Sequence, residues 1–120
     1  MKRGFTLVEL LVVMAIIATL LSIAAPRYFQ HVQRSKEAVL RENLATVRDA
    51  IDQFHADTNA WPGDLQSLAE KRYLRSVPVD PITGQADTWL TTPPPEGTGV
   101  YDIHSGAEGV GLDGVPFSEW

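Results

Sequence analysis

Residues 5–25 read Phe-Thr-Leu-Val-Glu-Leu-Leu-Val-Val-Met-Ala-Ile-Ile-Ala-Thr-Leu-Leu-Ser-Ile-Ala-Ala, an apolar run whose one ionisable side chain is Glu9. At about 1.5 Å per residue, a helix of this length crosses the roughly 30 Å hydrocarbon core of a bilayer. Lys2 and Arg3 precede it, and the positive-inside bias keeps the N-terminus in the cytoplasm and exports the rest. A removable secretory signal has an apolar region of about 7–15 residues followed by a small-residue cleavage site. This run is longer, and Pro26 directly follows Ala25, where such a cut would fall. A retained membrane helix is the better reading. Glu9 is then costly, on the order of 2.5–3.5 kcal/mol for a carboxylate inside a membrane span. Taken alone, it either lies near the interface, snorkelling or protonated, or it meets a partner.

The junction Lys2-Arg3-Gly4-Phe5-Thr6-Leu7-Val8-Glu9-Leu10 separates these readings. It resembles the type IV pilin superfamily: a short basic leader ending in Gly, then Phe-Thr-Leu-(Ile/Val)-Glu and an apolar run. The resemblance implies that a prepilin peptidase removes residues 1–4, cutting between Gly4 and Phe5, and methylates the new amino group on Phe5. Phe5 and Glu9 are four residues apart and share a helical face. In a stack of parallel helices, Glu9 of one subunit can meet the Phe5 ammonium of its neighbour. Methylation keeps that charge. Removing Glu9 alone strands the ammonium, which costs more than the pair contributes.

From residue 26 the pattern becomes amphipathic. Leu40, Leu44, Val47, Ile51 and Phe54 recur at +4, +3, +4, +3, with Phe29 and Val32 starting the stripe and Arg41, Glu42, Arg48, Asp49 and Asp52 on other faces. A stalk helix over 26–57 is predicted, continuous with the membrane helix 5–25. Pro26 is expected to kink or locally open it. About two clean heptads are too few for a coiled coil, so packing against the chain's own head, residues 58–120, is expected. Asp57-Thr58-Asn59 and Trp61-Pro62-Gly63 end the stalk. Asp64–Leu74 reads as a short helix with Asp64 as N-cap, Leu65, Leu68, Tyr73 and Leu74 inward, and Lys71, Arg72 and Arg75 near its end. Residues 88–90 and 99–103 are the expected strands, antiparallel across the Pro93-Pro94-Pro95 loop. The fold class is α+β: a long N-terminal helix packed on a small head of one helix and antiparallel strands. Such a head buries little by itself, and the stalk supplies the missing core.

Along residues 61–120 the head resembles the G-type major pseudopilins of type II secretion systems. The segments that carry this are Trp61-Pro62, Val79-Asp80-Pro81-Ile82-Thr83-Gly84, Tyr101–Gly109 and an acidic-aromatic tail. Pilus subunits of the type IVa kind usually close this region with a disulfide, and this chain has no cysteine. The resemblance implies calcium in the C-terminal loop, with Asp102, Ser105, Glu108 and Asp113 as the oxygen donors. The loop departs from the family pattern: Gly-Ala-Glu-Gly, a lone Asp113 and Pro116 replace a run of acids. A solvated acidic loop closed by turns is the alternative.

Composition closes other routes. Without cysteine there is no disulfide scaffold, thiolate zinc site or cysteine nucleophile. Residues 76–120 hold seven acids and no Lys or Arg, which disfavours direct nucleic-acid binding. His31, His55 and His104 are scattered, and Ser105 lacks a nucleophile elbow, so neither zinc nor catalysis is expected. Trp61 and Trp89 read as core anchors, and Phe117 and Trp120 as packing back on the head. Losing Lys2 and Arg3 with the leader leaves eight basic against fifteen acidic side chains, taking the formal charge from -5 to -7. The expected role is structural: a homo-oligomeric helical filament built from the bacterial inner membrane, heads in the periplasm, that drives protein export like a piston. The resemblance implies minor pseudopilins, an inner-membrane assembly platform and a separate cytoplasmic ATPase as partners. A type IV pilus subunit and a competence pseudopilin share the N-terminal argument. A signal-anchored periplasmic enzyme would need a catalytic constellation that the sequence does not display.

Overall fold

The computed structural model describes residues 4–120, so Lys2 and Arg3 of the expected leader lie outside the described residues. In chain order it contains helix α1 (Leu7–Thr58), helix α2 (Leu65–Glu70), strand β1 (Leu90–Thr92), strand β2 (Asp102–His104) and a 3-10 turn at Phe117–Glu119. This is the expected α+β arrangement. Contacts divide the chain into a unit that ends at Gln33 and a second unit, Arg34–Trp120.

The first unit is helical from Leu7 onward and continuous through Pro26, which lies inside α1. Its Leu, Val and Ile side chains point outward, and the stretch is long and apolar enough to cross a membrane. The hydroxyls of Thr19 and Ser22 donate to the Ala15 and Ala18 carbonyls at 2.8 and 2.7 Å. That internal bonding lets two polar side chains sit on an apolar helix without an orphaned group. The expectation that Phe29 begins the buried stripe is corrected. Phe29 is 68% exposed and its ring meets Tyr28 edge-on at 5.8 Å. Burial on α1 begins at Glu37 instead.

In the second unit the stripe performs as its spacing predicts. Leu40, Leu44, Val47, Ile51 and Phe54 are buried, joined by Ala50, and form one core with Leu68, Leu74, Trp89, Val100, Ile103, Ala107 and Phe117. The head therefore covers the face that a coiled coil would have used. Helix α1 stops where Asn59 turns left-handed (φ 55°), a conformation Asn tolerates better than most residues.

Helix α2 begins as expected: the Asp64 carboxylate accepts from the Ser67 N–H at 2.8 Å. It ends at Glu70 rather than reaching Leu74. The cause is Arg72 at φ 65°, whose N–H bonds the Ala69 carbonyl while the Tyr73 N–H bonds Leu68. This bond pair is the Schellman stop, here with an arginine where glycine is usual. Lys71 becomes the C-cap, so the basic residues follow the last turn instead of filling it.

The two strands pair antiparallel, Leu90 with His104, Thr91 with Ile103 and Thr92 with Asp102. Both begin later than their sequence pattern suggested. The upstream residues have other partners: Trp89 Nε1 donates to the Pro78 carbonyl, Thr88 and Thr83 share a hydroxyl bond, and the Val100 N–H donates to the Pro62 carbonyl. Gly106 permits a further close approach, since a Cβ there would collide with the Thr88 carbonyl.

Candidate functional site

The first candidate site is the start of α1. Gly4 and Phe5 precede the helix, both exposed, with Phe5 at 85%. A peptide bond outside regular structure is open to a peptidase, as the expected cut requires. Phe5, Val8, Glu9, Val12 and Val13 line one shallow groove, so the two assembly residues do share a face. Glu9 also has a local role that the sequence reading missed. Its N–H accepts a bond to Thr6 Oγ1 at 3.1 Å, and its carboxylate receives the Thr6 N–H at 3.3 Å. Thr6-Leu7-Val8-Glu9 is thus a reciprocal capping box, readable from the Thr-x-x-Glu spacing. It places the carboxylate one residue from Phe5 and over the positive end of the helix dipole.

The C-terminal loop is the second candidate site, and α1 organises it. Arg48 donates from Nε to Asp102 at 2.8 Å and from one terminal nitrogen to the carbonyls of Ile103 at 2.8 Å and Trp120 at 2.7 Å. His104 Nδ1 lies 2.8 Å from the same Trp120 carbonyl. One turn pair earlier, Glu37 is only 4% exposed and accepts the Leu112 N–H at 2.6 Å; its second oxygen is buried with no partner. Asp80 is fully buried and fully bonded, receiving the Ser105 hydroxyl at 2.5 Å and the Ile82 N–H at 2.8 Å. The Asp-Pro-Ile-Thr-Gly turn pattern was its available signal. Glu37 had none, because a lone acid on a helix reads as solvated.

These bonds decide how well the four expected calcium donors suit a cation. Asp102 is engaged by Arg48 and by the Ile103 N–H. The Ser105 hydroxyl donates to Asp80 and accepts from the Ala107 N–H. Asp113 pairs with Arg41 at 3.4 Å and accepts the Val115 N–H at 3.0 Å, while Glu108 is exposed. A hard cation needs six to eight oxygens converging on one point, and these four do not converge. Among the described residues, no group of three or more His, Asp or Glu is arranged to hold a metal. The residues present do not fit the ion as a set.

The remaining singled-out residues are structural. His55 stacks on Trp61 with ring centroids 3.8 Å apart, and Tyr101 meets Trp61 edge-on at 5.0 Å. Trp89 and Phe117 are core, and the Trp120 ring lies under the Arg41 guanidinium at 4.4 Å.

Comparison with known proteins agrees with this geometry. Residues 1–25 match the prokaryotic N-terminal methylation motif. The type II secretion system core protein G of Pectobacterium carotovorum is 27% identical over 98% of this chain and 81% of its own length. That of Pseudomonas aeruginosa is 28% identical over 90% and 85%. The fimbrial protein EcpC of Eikenella corrodens is 32% identical over 65% of this chain, and the match spans about half, 54%, of that protein. No solved structure matches the chain. Proteins of this kind are structural and not enzymes. With the methylation motif at the start of α1 and a likeness to core G proteins along nearly its whole length, this chain is a type IV pilin-like protein.

Proposed function

We propose that this chain is a structural subunit of a type II secretion pseudopilus. Its precursor sits in the bacterial inner membrane with its head in the periplasm. Prepilin peptidase releases residues 1–4, and the methylated Phe5 ammonium pairs with Glu9 of a neighbour as the apolar helices pack into the filament core. Assembly on an inner-membrane platform is driven by a separate cytoplasmic ATPase, with minor pseudopilins as further partners, and the growing filament pushes proteins outward. The observation that carries this reading is the reach of the core G likeness, through the head as well as the N-terminal helix. The absence of cysteine, which a type IVa pilus head would use, supports it.

The second reading, a pilus subunit, draws on the fimbrial match, which ends at about two thirds of this chain. Deleting the subunit in its own host separates the two. The expected outcome is accumulation of exported proteins in the periplasm, restored by the full-length chain. Normal export combined with loss of surface pili would establish the pilus reading instead. Intact mass of the purified subunit should show a chain that begins at methylated Phe5.

A further inference from the structure

A groove of about 370 Å³ runs along α1 in the second unit, with Arg41, Leu44 and Ala45 on one wall and Val115 and Trp120 on the other. Its floor is apolar, and it is flanked by a cation. Arg41 has a side chain 62% exposed, and its contact to Asp113 is long, at 3.4 Å, so most of its donors remain open. Elsewhere on the same unit is a segment of complementary chemistry. Thr92-Pro93-Pro94-Pro95-Glu96-Gly97 leaves β1 as a loop in which Pro93, Pro95 and Glu96 are exposed. Three successive prolines hold φ near −65° and favour a polyproline II rod. Such rods recognise aromatic-lined grooves, and their ordering cost on binding is small because the conformation is already set. Glu96, directly after the prolines, has no partner among the described residues and matches an arginine at the groove's edge.

We infer that this groove receives the Pro93–Glu96 loop of a second copy, with the prolines against Trp120 and Val115 and Glu96 against Arg41. The positions on one chain favour this occupant. The loop is tied beside the end of α1, where the Val100 N–H bonds the Pro62 carbonyl. The groove lies near Ala45, roughly 20 Å from Thr58 along the helix at 1.5 Å per residue. Key and lock at different heights cannot form a closed two-fold pair; they join head to tail and propagate as an open helical array. This lateral head contact rests on the filament reading and adds to the Phe5–Glu9 pair a second determinant of subunit offset.

The chain contains no cysteine, so paired cysteines report this contact without background. Full-length Ala45→Cys/Glu96→Cys, assembled in its host and mildly oxidised, should give a ladder of disulfide-linked multimers, while each single variant stays monomeric. Separately, Arg41→Glu and Glu96→Arg should each lower filament yield several-fold, and the double exchange should restore it. Assembled filaments of the cysteine pair with no ladder would overturn the contact and leave the filament reading intact. A ladder from either single variant would overturn it too, because like then faces like. Failure of the double exchange to restore yield would do the same. If the unmodified chain yields no filaments, the filament reading fails and this contact fails with it.

Discussion

Glu9 carries two separable functions, one local and one between subunits. As the N3 residue of a capping box it closes the first turn of α1 with Thr6, a bond that needs a side-chain acceptor and no charge. As the proposed partner of a neighbour's Phe5 ammonium it needs the charge. Glu9→Gln therefore separates the roles. We expect it to keep helix content and membrane insertion while filament recovery falls to background; Glu9→Ala should lose the cap as well. Filaments at normal yield from Glu9→Gln would show that charge is not what aligns the subunits. A second residue-scale test concerns strain. Arg72 holds a left-handed conformation that costs a non-glycine residue roughly 1–2 kcal/mol, partly offset by the extra freedom glycine has when unfolded. Arg72→Gly should stabilise the head by about 0.5–1 kcal/mol in a urea melt. A destabilised variant would mean that the arginine side chain contributes more than its backbone costs.

Among the elements, those fixed by local pattern were legible and those fixed by remote partners were not. The stripe from Leu40 to Phe54 was readable because 3.6-residue periodicity is a property of the helix itself. The N-cap at Asp64 was readable for the same reason, as its acceptor lies three residues away. The strand starts were misplaced because Trp89 answers to Pro78 and Val100 to Pro62, partners far along the chain. The calcium donors were chosen by residue type, and Arg48, 54 residues from Asp102 along the chain, claims one of them. Phe29 had the right spacing, but periodicity says which face a residue is on and not whether anything covers that face. The cap at Asp64 yields a pH prediction. Its bonds from the Ser67 hydroxyl and N–H hold its carboxyl below the usual Asp value. A depressed folded-state value means the contribution is present above the unfolded value of about 3.9 and is lost as pH falls through the folded one. Asp64→Asn keeps a capping acceptor that does not titrate. Its melting temperature should therefore fall less than the parent's between pH 5 and pH 2; equal slopes would remove Asp64 from the acid response.

For the molecule as a whole, the head is held to the helix by a few long-range polar ties laid over one apolar core. Arg48 joins α1, β2 and the segment around Trp120 through three bonds, and Glu37 holds the loop at Leu112. A loop fixed in this way gains its order from protein donors, at the positions where a cation would otherwise gather oxygens. The consequence is measurable on a fragment beginning at Arg34. Arg48→Met keeps the aliphatic stem and removes all three bonds, leaving Asp102 and two carbonyls without that donor. Bonds to a charged group contribute about 1.5–3 kcal/mol, and partial exposure of both partners places the loss near 2 kcal/mol. For a domain of this size that is a fall in Tm of roughly 10 °C. Millimolar calcium or a chelator should leave the Tm of the parent fragment unchanged, since bound ligand raises it and these donors are already engaged. A calcium-induced rise in the parent, absent in Asp113→Asn, would instead mean that the loop rearranges to free its carboxylates for a cation.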